Sequence, residues 1–323
     1  MSEGDWAFPD ALQPGADDVS FDLDDALNAV VMLRAEVPDD AFTASALGTE
    51  RIGNGVVIDD DGLVVTIGYL IAEASSIWLT TNSGRTVSAY ALAYDHITGF
   101  GLVRAVEPLD ATMLKRGTAD ACHQGDQVFV ISQGGAAHAL KAKLIDKREF
   151  AGYWEYLLDE ALFTAPAHPQ WGGAALVGQD GRLAGVGSLL VQEVIGGEQV
   201  QGNMLVPIDL LNDTLEHLLA TGRSPAQPRP WIGMSTVESD RRLVVSGASR
   251  HGPAAKAGMQ PGDVVLEVDG SRVSTLAQML SAIWNLGRPG VTVPLTIARS
   301  GQVMQCKIQS ADRKDFLKKP VLH

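Results

Sequence analysis

Short apolar runs separated by turn residues recur through the first two thirds of this chain. Val30, Val31, Met32 and Leu33 form one run, and a polar connection from Glu36 to Arg51 follows it. Residues 53–58 and 63–66 flank Asp59-Asp60-Asp61-Gly62, and residues 77–80 and 87–90 flank Asn82-Ser83-Gly84. Apolar segments on either side of a glycine-bearing turn predict two hairpins, and Leu102-Val103 continues the series. A second series covers residues 127–132, 142–145, 157–164, 174–177, 183–188 and 203–206. Regularly spaced short strands of this kind predict a mainly β architecture of the barrel type. The period then changes. Leu210, Leu211, Leu215, Leu218 and Leu219 fall at helical spacing, which predicts a helix over residues 207–221 with Pro207 at its first position and Gly222 at its C-terminal cap.

Residues 222–230 hold Pro225, Pro228 and Pro230 and read as a semi-rigid linker. Beyond it, residues 231–311 resemble a PDZ domain (α+β). The resemblance is carried by Trp231-Ile232-Gly233-Met234, by the run from Ala254 to Gly270 with its Ala-Gly-Met-Gln-Pro-Gly-Asp core, and by an amphipathic helix over residues 275–286. Such domains take a peptide C-terminus as an added strand and hold its carboxylate in a nest of backbone N–H groups. The resemblance assigns Trp231, Ile232, Gly233 and Met234 to that loop. Met279 and Ile283 are the expected apolar wall of the groove. Residues 312–323 form a short tail.

The first 25 residues are rich in Asp, Pro and Gly, with Trp6, Phe8 and Phe21 set among acids. They read as an arm with little capacity to build a core, open either to disorder or to docking of the aromatics on a neighbouring subunit. Composition narrows the function classes. The 323 residues carry a net charge of -14, with 46% apolar and 20% charged residues. Nucleic acid is not an expected partner, since phosphate binding needs clustered Lys and Arg. No stretch of about 20 apolar residues is present to span a membrane, and the acidic N-terminus does not resemble a secretory signal. The two cysteines, Cys122 and Cys306, show no metal-ligand spacing, so neither a metal nor another cofactor is expected. A cytoplasmic protein is expected.

Residues 26–221 resemble the double β-barrel of trypsin-like serine proteases of the HtrA/DegP kind, so that the whole reads as a mainly β chain, a trypsin-like double barrel followed by a PDZ domain. In that family the catalytic His closes the pattern Asp-Gly-(apolar)3-Thr-Asn-Asn-His-Val. Here the run is Asp61-Gly62-Leu63-Val64-Val65-Thr66-Ile67-Gly68-Tyr69-Leu70, and Tyr69 stands at the His position. The family's Asp lies in Asp-Pro-x-Thr-Asp-Leu-Ala; here Asp95-His96-Ile97-Thr98-Gly99-Phe100-Gly101 puts Gly99 there. The nucleophile pattern Gly-Asn-Ser-Gly-Gly becomes Gln170-Trp171-Gly172-Gly173-Ala174, with the register set by the turn Gln179-Asp180-Gly181. Gly172 then replaces the serine, and Gln170, Trp171 and Gly172 form the altered oxyanion loop.

Serine supplies the attacking oxygen, histidine takes its proton and aspartate holds the imidazole. With all three substituted, the expectation is a chain that is not an enzyme: a pseudoprotease that binds a protein partner or a peptide C-terminus as a scaffold, adaptor or assembly subunit. The resemblance also implies a homo-oligomer, a trimer, joined through Trp6 and Phe8. Two alternatives stand beside this. One is a serine-type endopeptidase or other hydrolase with an unrecognised nucleophile, for which Ser132 and Cys122 are the residues to test. The other is a holdase chaperone.

Overall fold

The computed structural model describes residues 6–195 and 197–318; the first five residues of the arm and the last five of the tail lie outside them. Two compact units result, and the chain passes between them more than once. One contains residues 6–148, 160–225 and Lys318, and the other contains residues 149–159 and 226–317.

In the first unit α1 (Leu23–Asn28) leads into β1 (Val30–Glu36), α2 (Ala44–Leu47), β2 (Glu50–Val57), β3 (Leu63–Ile67), β4 (Ser76–Thr80), β5 (Thr86–Tyr94) and β6 (Phe100–Ala105). These six strands close a barrel in the order β1-β2-β3-β6-β5-β4. Both predicted hairpins are present, with Val57 opposite Val64 and Leu79 opposite Val87. Then β7 (Gln127–Ile131), β8 (Ala139–Gly152), β9 (Tyr156–Ala165), β10 (Ala175–Val177), β11 (Leu183–Ile195) and β12 (Glu198–Pro207) close a second barrel in the order β10-β11-β12-β9-β8-β7. Closure leaves no sheet edge to solvate, and the inward side chains fill each interior. Leu33, Val65, Leu79 and Val103 are fully buried in the first barrel, and Val128, Val130, Leu140, Leu162 and Leu176 in the second. Each such side chain contributes about 1.5–3 kcal/mol on leaving water.

The helix expected over 207–221 is two short ones, α3 (Asp209–Asn212) and α4 (Leu215–Thr221). Pro207 ends β12 instead of opening a helix. The Thr214 hydroxyl donates to the carbonyl of Leu210 at 2.7 Å, so a side chain competes for a carbonyl at the break. Gly222 does cap α4, in the left-handed region at φ 66°. The arm is more ordered than its composition implies. The carboxylate of Asp22 accepts the amide of Asp25 to start α1, and the Phe21 ring meets Phe129 edge-on at 5.8 Å.

The second unit contains β13 (Met234–Ser239), β14 (Arg242–Ala248), α5 (Pro253–Lys256), β15 (Val264–Val268), β16 (Ser271–Arg272), α6 (Leu276–Trp284), β17 (Thr292–Arg299) and β18 (Gln302–Gln309). The sheet runs β13-β14-β15-β17-β18, with β16 paired to β15, so β13 is an edge strand. Thr275 caps α6, its hydroxyl accepting the amide of Gln278. The helix buries Leu276, Met279, Leu280 and Ile283 in a core shared with Leu243, Val265, Leu295 and Ile297. The tip of the β8–β9 hairpin belongs to this unit, an addition that a linear reading of the chain does not suggest.

Candidate active site and peptide nest

In the first unit the structure brings positions 69, 99 and 172 into one neighbourhood. The turn after β3 holds Gly68 and Tyr69, and the amide of Gly68 donates to the carbonyl of Gly99 at 2.7 Å. Gly99 is buried at φ 88°, a conformation that favours glycine. A β-carbon added to Gly172 would lie 3.0 Å from the Tyr69 hydroxyl oxygen. That hydroxyl donates to the carbonyl of Ser188 at 2.9 Å. Ser188 is available because the β11–β12 register slips between Gly187 and Leu189, leaving it out of the ladder. Burial raises the Tyr69 phenol above its ordinary range, against the influence of the nearby Trp171 side chain. Tyr69 therefore stays protonated and serves as a hydrogen-bonded filler between the two barrels.

Arg51 fixes the Tyr69 backbone from behind. Its guanidinium donates to the carbonyls of Tyr69 and Ala72 at 2.7 and 2.9 Å and to the Thr43 hydroxyl at 2.7 Å. Glu73 completes this cluster. Its carboxylate accepts from the amides of Phe42, Thr43 and Lys318 and from the Thr43 hydroxyl. Those donors outweigh the cost of its burial and hold its pKa below the usual range.

The loop from His168 to Ala174 is set by buried polar contacts. The imidazole Nε2–H of His168 donates to the carbonyl of His138 at 2.8 Å, and Nδ1 accepts the amide of Gln170 at 3.0 Å. The Gln170 amide, expected in the oxyanion loop, is thus spent on His168. The side-chain amide of Asn203 brackets the His168 backbone at both its N–H and its carbonyl. Burial pushes the His168 pKa down to about 4, so it is neutral at physiological pH. Gly172 accepts from the Asn54 backbone at 2.7 Å and from the Asn54 side chain at 3.1 Å. Gly173 follows at φ 76°, where a β-carbon would sit 1.9 Å from the Asn54 carbonyl oxygen. Only glycine fits there.

Ser132 and Cys122, the other nucleophiles considered, are both closed off. The Ser132 side chain is buried and donates within a set made by the carbonyls of Gln133 and His138 and the Gln170 side chain. Cys122 sits in the second barrel's core, and burial raises its thiol. Asp95 is consumed locally, accepting the amide of Ile97 and the hydroxyl of Thr98. Trp6 and Phe8 fold back onto their own chain: Trp6 lies 4.5 Å from the His138 ring and Phe8 5.0 Å from the His168 ring, centroid to centroid. Among the described residues no group of three or more His, Cys, Asp or Glu side chains is placed to hold a metal ion.

In the second unit Ile232 and Met234 are buried, as are Met279 and Ile283. The amides of Ile232 and Met234 donate to one carboxylate, that of Glu155, at 3.0 and 2.9 Å, and the amide of Gly233 also acts on it. The Trp231–Met234 loop is therefore a formed anion nest. Sequence reasoning missed its occupant, because Glu155 lies 77 positions before Ile232.

Two six-stranded barrels followed by this sheet and helix define a trypsin-like peptidase fold joined to a PDZ domain. Residues 53–186 match the trypsin-like peptidase domain family and residues 230–309 the PDZ domain family. The chain is 25% identical over 275 residues to the serine endoprotease DegS of Haemophilus influenzae, covering 81% of this chain and 77% of that one. It is 25% identical over 272 residues to a probable periplasmic serine endoprotease, DegP-like, of Pseudomonas fulva, covering 80% of this chain and 55% of that one. Among solved structures, the HtrA-type protease AlgW with tripeptide aligns with TM-score 0.51 at 19% identity, over 90% of this chain and 95% of that one. The serine endoprotease from Yersinia pestis aligns with TM-score 0.51 at 22% identity, over 91% and 99%. The chain therefore carries a trypsin-like peptidase domain and one PDZ domain, the arrangement of the HtrA-type structures it resembles in fold. The expectation that it is not an enzyme is corrected by these comparisons: relatives matching about four fifths of its length are serine endoproteases, and the likeness points to an enzyme class.

Proposed function

We propose that this chain handles polypeptide as an HtrA-type protein. Its PDZ unit takes a free carboxyl terminus, and its two-barrel unit acts as a serine-endopeptidase-type hydrolase. Peptide handling rests on one observation, the convergence of the Ile232 and Met234 amides on a single carboxylate, the arrangement that captures a chain end. Hydrolysis is supported by the endoprotease relatives.

We take Tyr69, Gly99 and Gly172 as the counterparts of the family's His, Asp and Ser. Glycine offers no attacking oxygen, and a raised phenol is a poor base. Hydrolysis on this reading uses another nucleophile. Ser132 comes first because it contacts Gln170 of the altered loop; Cys122 comes second. Either must be uncovered by movement of the residues that bury it. A second reading, a binding scaffold or assembly subunit, is favoured by the Gln170 amide being engaged by His168. A trimer is carried over from the family resemblance.

Turnover of unfolded casein, with labelling by a fluorophosphonate or a thiol probe, separates these readings. Turnover with labelling lost in Ser132→Ala or Cys122→Ala sustains the hydrolase. Absence of both, with one partner co-purifying at fixed stoichiometry through residues 231–311, selects the scaffold. Suppression of aggregation with no defined partner selects a holdase. A monomer mass by light scattering removes the trimer.

A further inference from the structure

A chain end bound by such a nest satisfies two requirements at once. Its carboxylate meets the loop amides, and the residues before it pair with the edge strand as an added β-strand. Both requirements are already met within this chain. The Glu155 carboxylate takes the amides of Ile232 and Met234, one on each oxygen. Two residues earlier, the carbonyl of Tyr153 accepts the amide of Thr236 on β13 at 3.2 Å. Residues 153, 154 and 155 therefore sit as the last three residues of a bound peptide would.

The chain does not end there, and its geometry accommodates that. Glu155 has φ 63°, a left-handed turn that carries the backbone away while the side chain fills the nest. Two residues on, Leu157 joins the apolar core that includes Met279 and Ile283. The tip is preorganised by its own aromatics, with Trp154 stacked on Tyr156 at 5.7 Å and an interplanar angle of 13°.

We infer that residues 153–155 are an internal ligand of the PDZ unit, the Glu155 side chain standing where a partner's terminal carboxylate goes. An external chain end must displace this tip, so the groove is closed until a competitor of sufficient affinity or local concentration arrives. Closure by an internal competitor lowers apparent affinity by the fraction of molecules that are open. The inference rests on the reading that the nest takes peptide ends.

The test uses the full chain, as wild type, Glu155→Ala and Glu155→Gln. The probe is a fluorescein-labelled peptide ending Tyr-Trp-Leu with a free carboxylate, and the same peptide amidated is the control. Fluorescence anisotropy gives affinity, and hydrogen exchange reports the amides of residues 232–236. Glu155→Ala is expected to bind the acid peptide at least tenfold more tightly than wild type and to exchange those amides at least tenfold faster without peptide. Glu155→Gln is expected to fall between and guards against loss of fold, which unchanged exchange in β17 also checks. Equal affinity and equal exchange in wild type and both variants overturn the internal ligand. Faster exchange with no preference for acid over amidated peptide in any form keeps the tip contact and overturns the peptide-end reading instead.

Discussion

Lowering the pH from 7.5 to 4 forces a proton towards an imidazole that the fold holds neutral. His168 has both ring nitrogens committed, Nε2–H to a carbonyl and Nδ1 to an amide N–H. A proton on Nδ1 would point at the Gln170 amide, and no solvent reaches the ring to compensate. The folded pKa is about 4 against the ordinary 6.5. Because the folded value is the lower one, the unfolded chain binds the extra proton first. The stability tied to neutral His168 is intact above pH 6.5 and is lost as pH falls through 4. At about 1.4 kcal/mol for each pH unit of separation, the loss is about 3 kcal/mol. The assay is urea unfolding of wild type and His168→Gln followed by hydrogen exchange in β7 and in residues 139–148 of β8, so that only the barrel unit is read. At pH 7.5 the variant is the less stable, having lost the pairings and ring contacts of the imidazole. The gap narrows by about 3 kcal/mol by pH 4, because only the wild type carries the titrating group. A gap that stays constant between pH 7.5 and 4 refutes the reasoning.

Glu155 carries the opposite sign. Burial, against its amide donors and the Arg313 charge, pushes its carboxyl up to about 7 from the ordinary 4.5. The folded form then holds the proton longer, and the PDZ unit loses about 3 kcal/mol as pH rises from 4.5 to 7; exchange in β15 and β17, compared with Glu155→Gln, checks it. Gly173→Ala combines a positive φ with a β-carbon 1.9 Å from a backbone oxygen, so a loss of more than about 3 kcal/mol is expected in thermal unfolding. Gly172→Ala presses on the Tyr69 hydroxyl at 3.0 Å and meets Leu70 at an ordinary 3.9 Å, and is expected to cost about 1 kcal/mol in the same measurement. The carboxylate of Asp263 is buried and receives two guanidinium bonds from Arg299, at 2.6 and 2.7 Å, and the amide of Gln260. Asp263→Asn should cost about 3–5 kcal/mol, read by denaturant unfolding of the PDZ unit.

Strands and their turns were legible because alternation and Asp-Gly or Ser-Gly turns are local signals. The PDZ loop was legible because Trp231-Ile232-Gly233-Met234 and the Gly262-Asp263 turn sit at a recognisable spacing. The helix over 207–221 was misread because leucine spacing does not report Thr214 bonding back to Leu210. The partners of the arm's aromatics within the chain were not legible, because Trp6 and Phe8 meet His138 and His168, 130 and more residues away. The same limit hid the roles of His168, Gln170 and Glu155. Each depends on partners brought together only by barrel closure or by the hairpin tip. Acidic residues near turns are common, and nothing local distinguishes Glu155 from Asp159 or Glu160.

The division of the chain into two interleaved units alters what a broken backbone means. The barrel unit uses residues from both sides of the PDZ segment, because Lys318 donates its amide to Glu73. The PDZ unit in turn takes residues 149–159, the tip of the β8–β9 hairpin. One cut in the proline-rich stretch near Ala226 therefore frees neither unit. Each fragment still supplies part of both, so the nicked protein should persist as a complementing pair, and fragments made separately should reassemble when mixed. The segment 231–311 on its own, by contrast, would start with its nest vacant and lack the leucine that Leu157 lends its core.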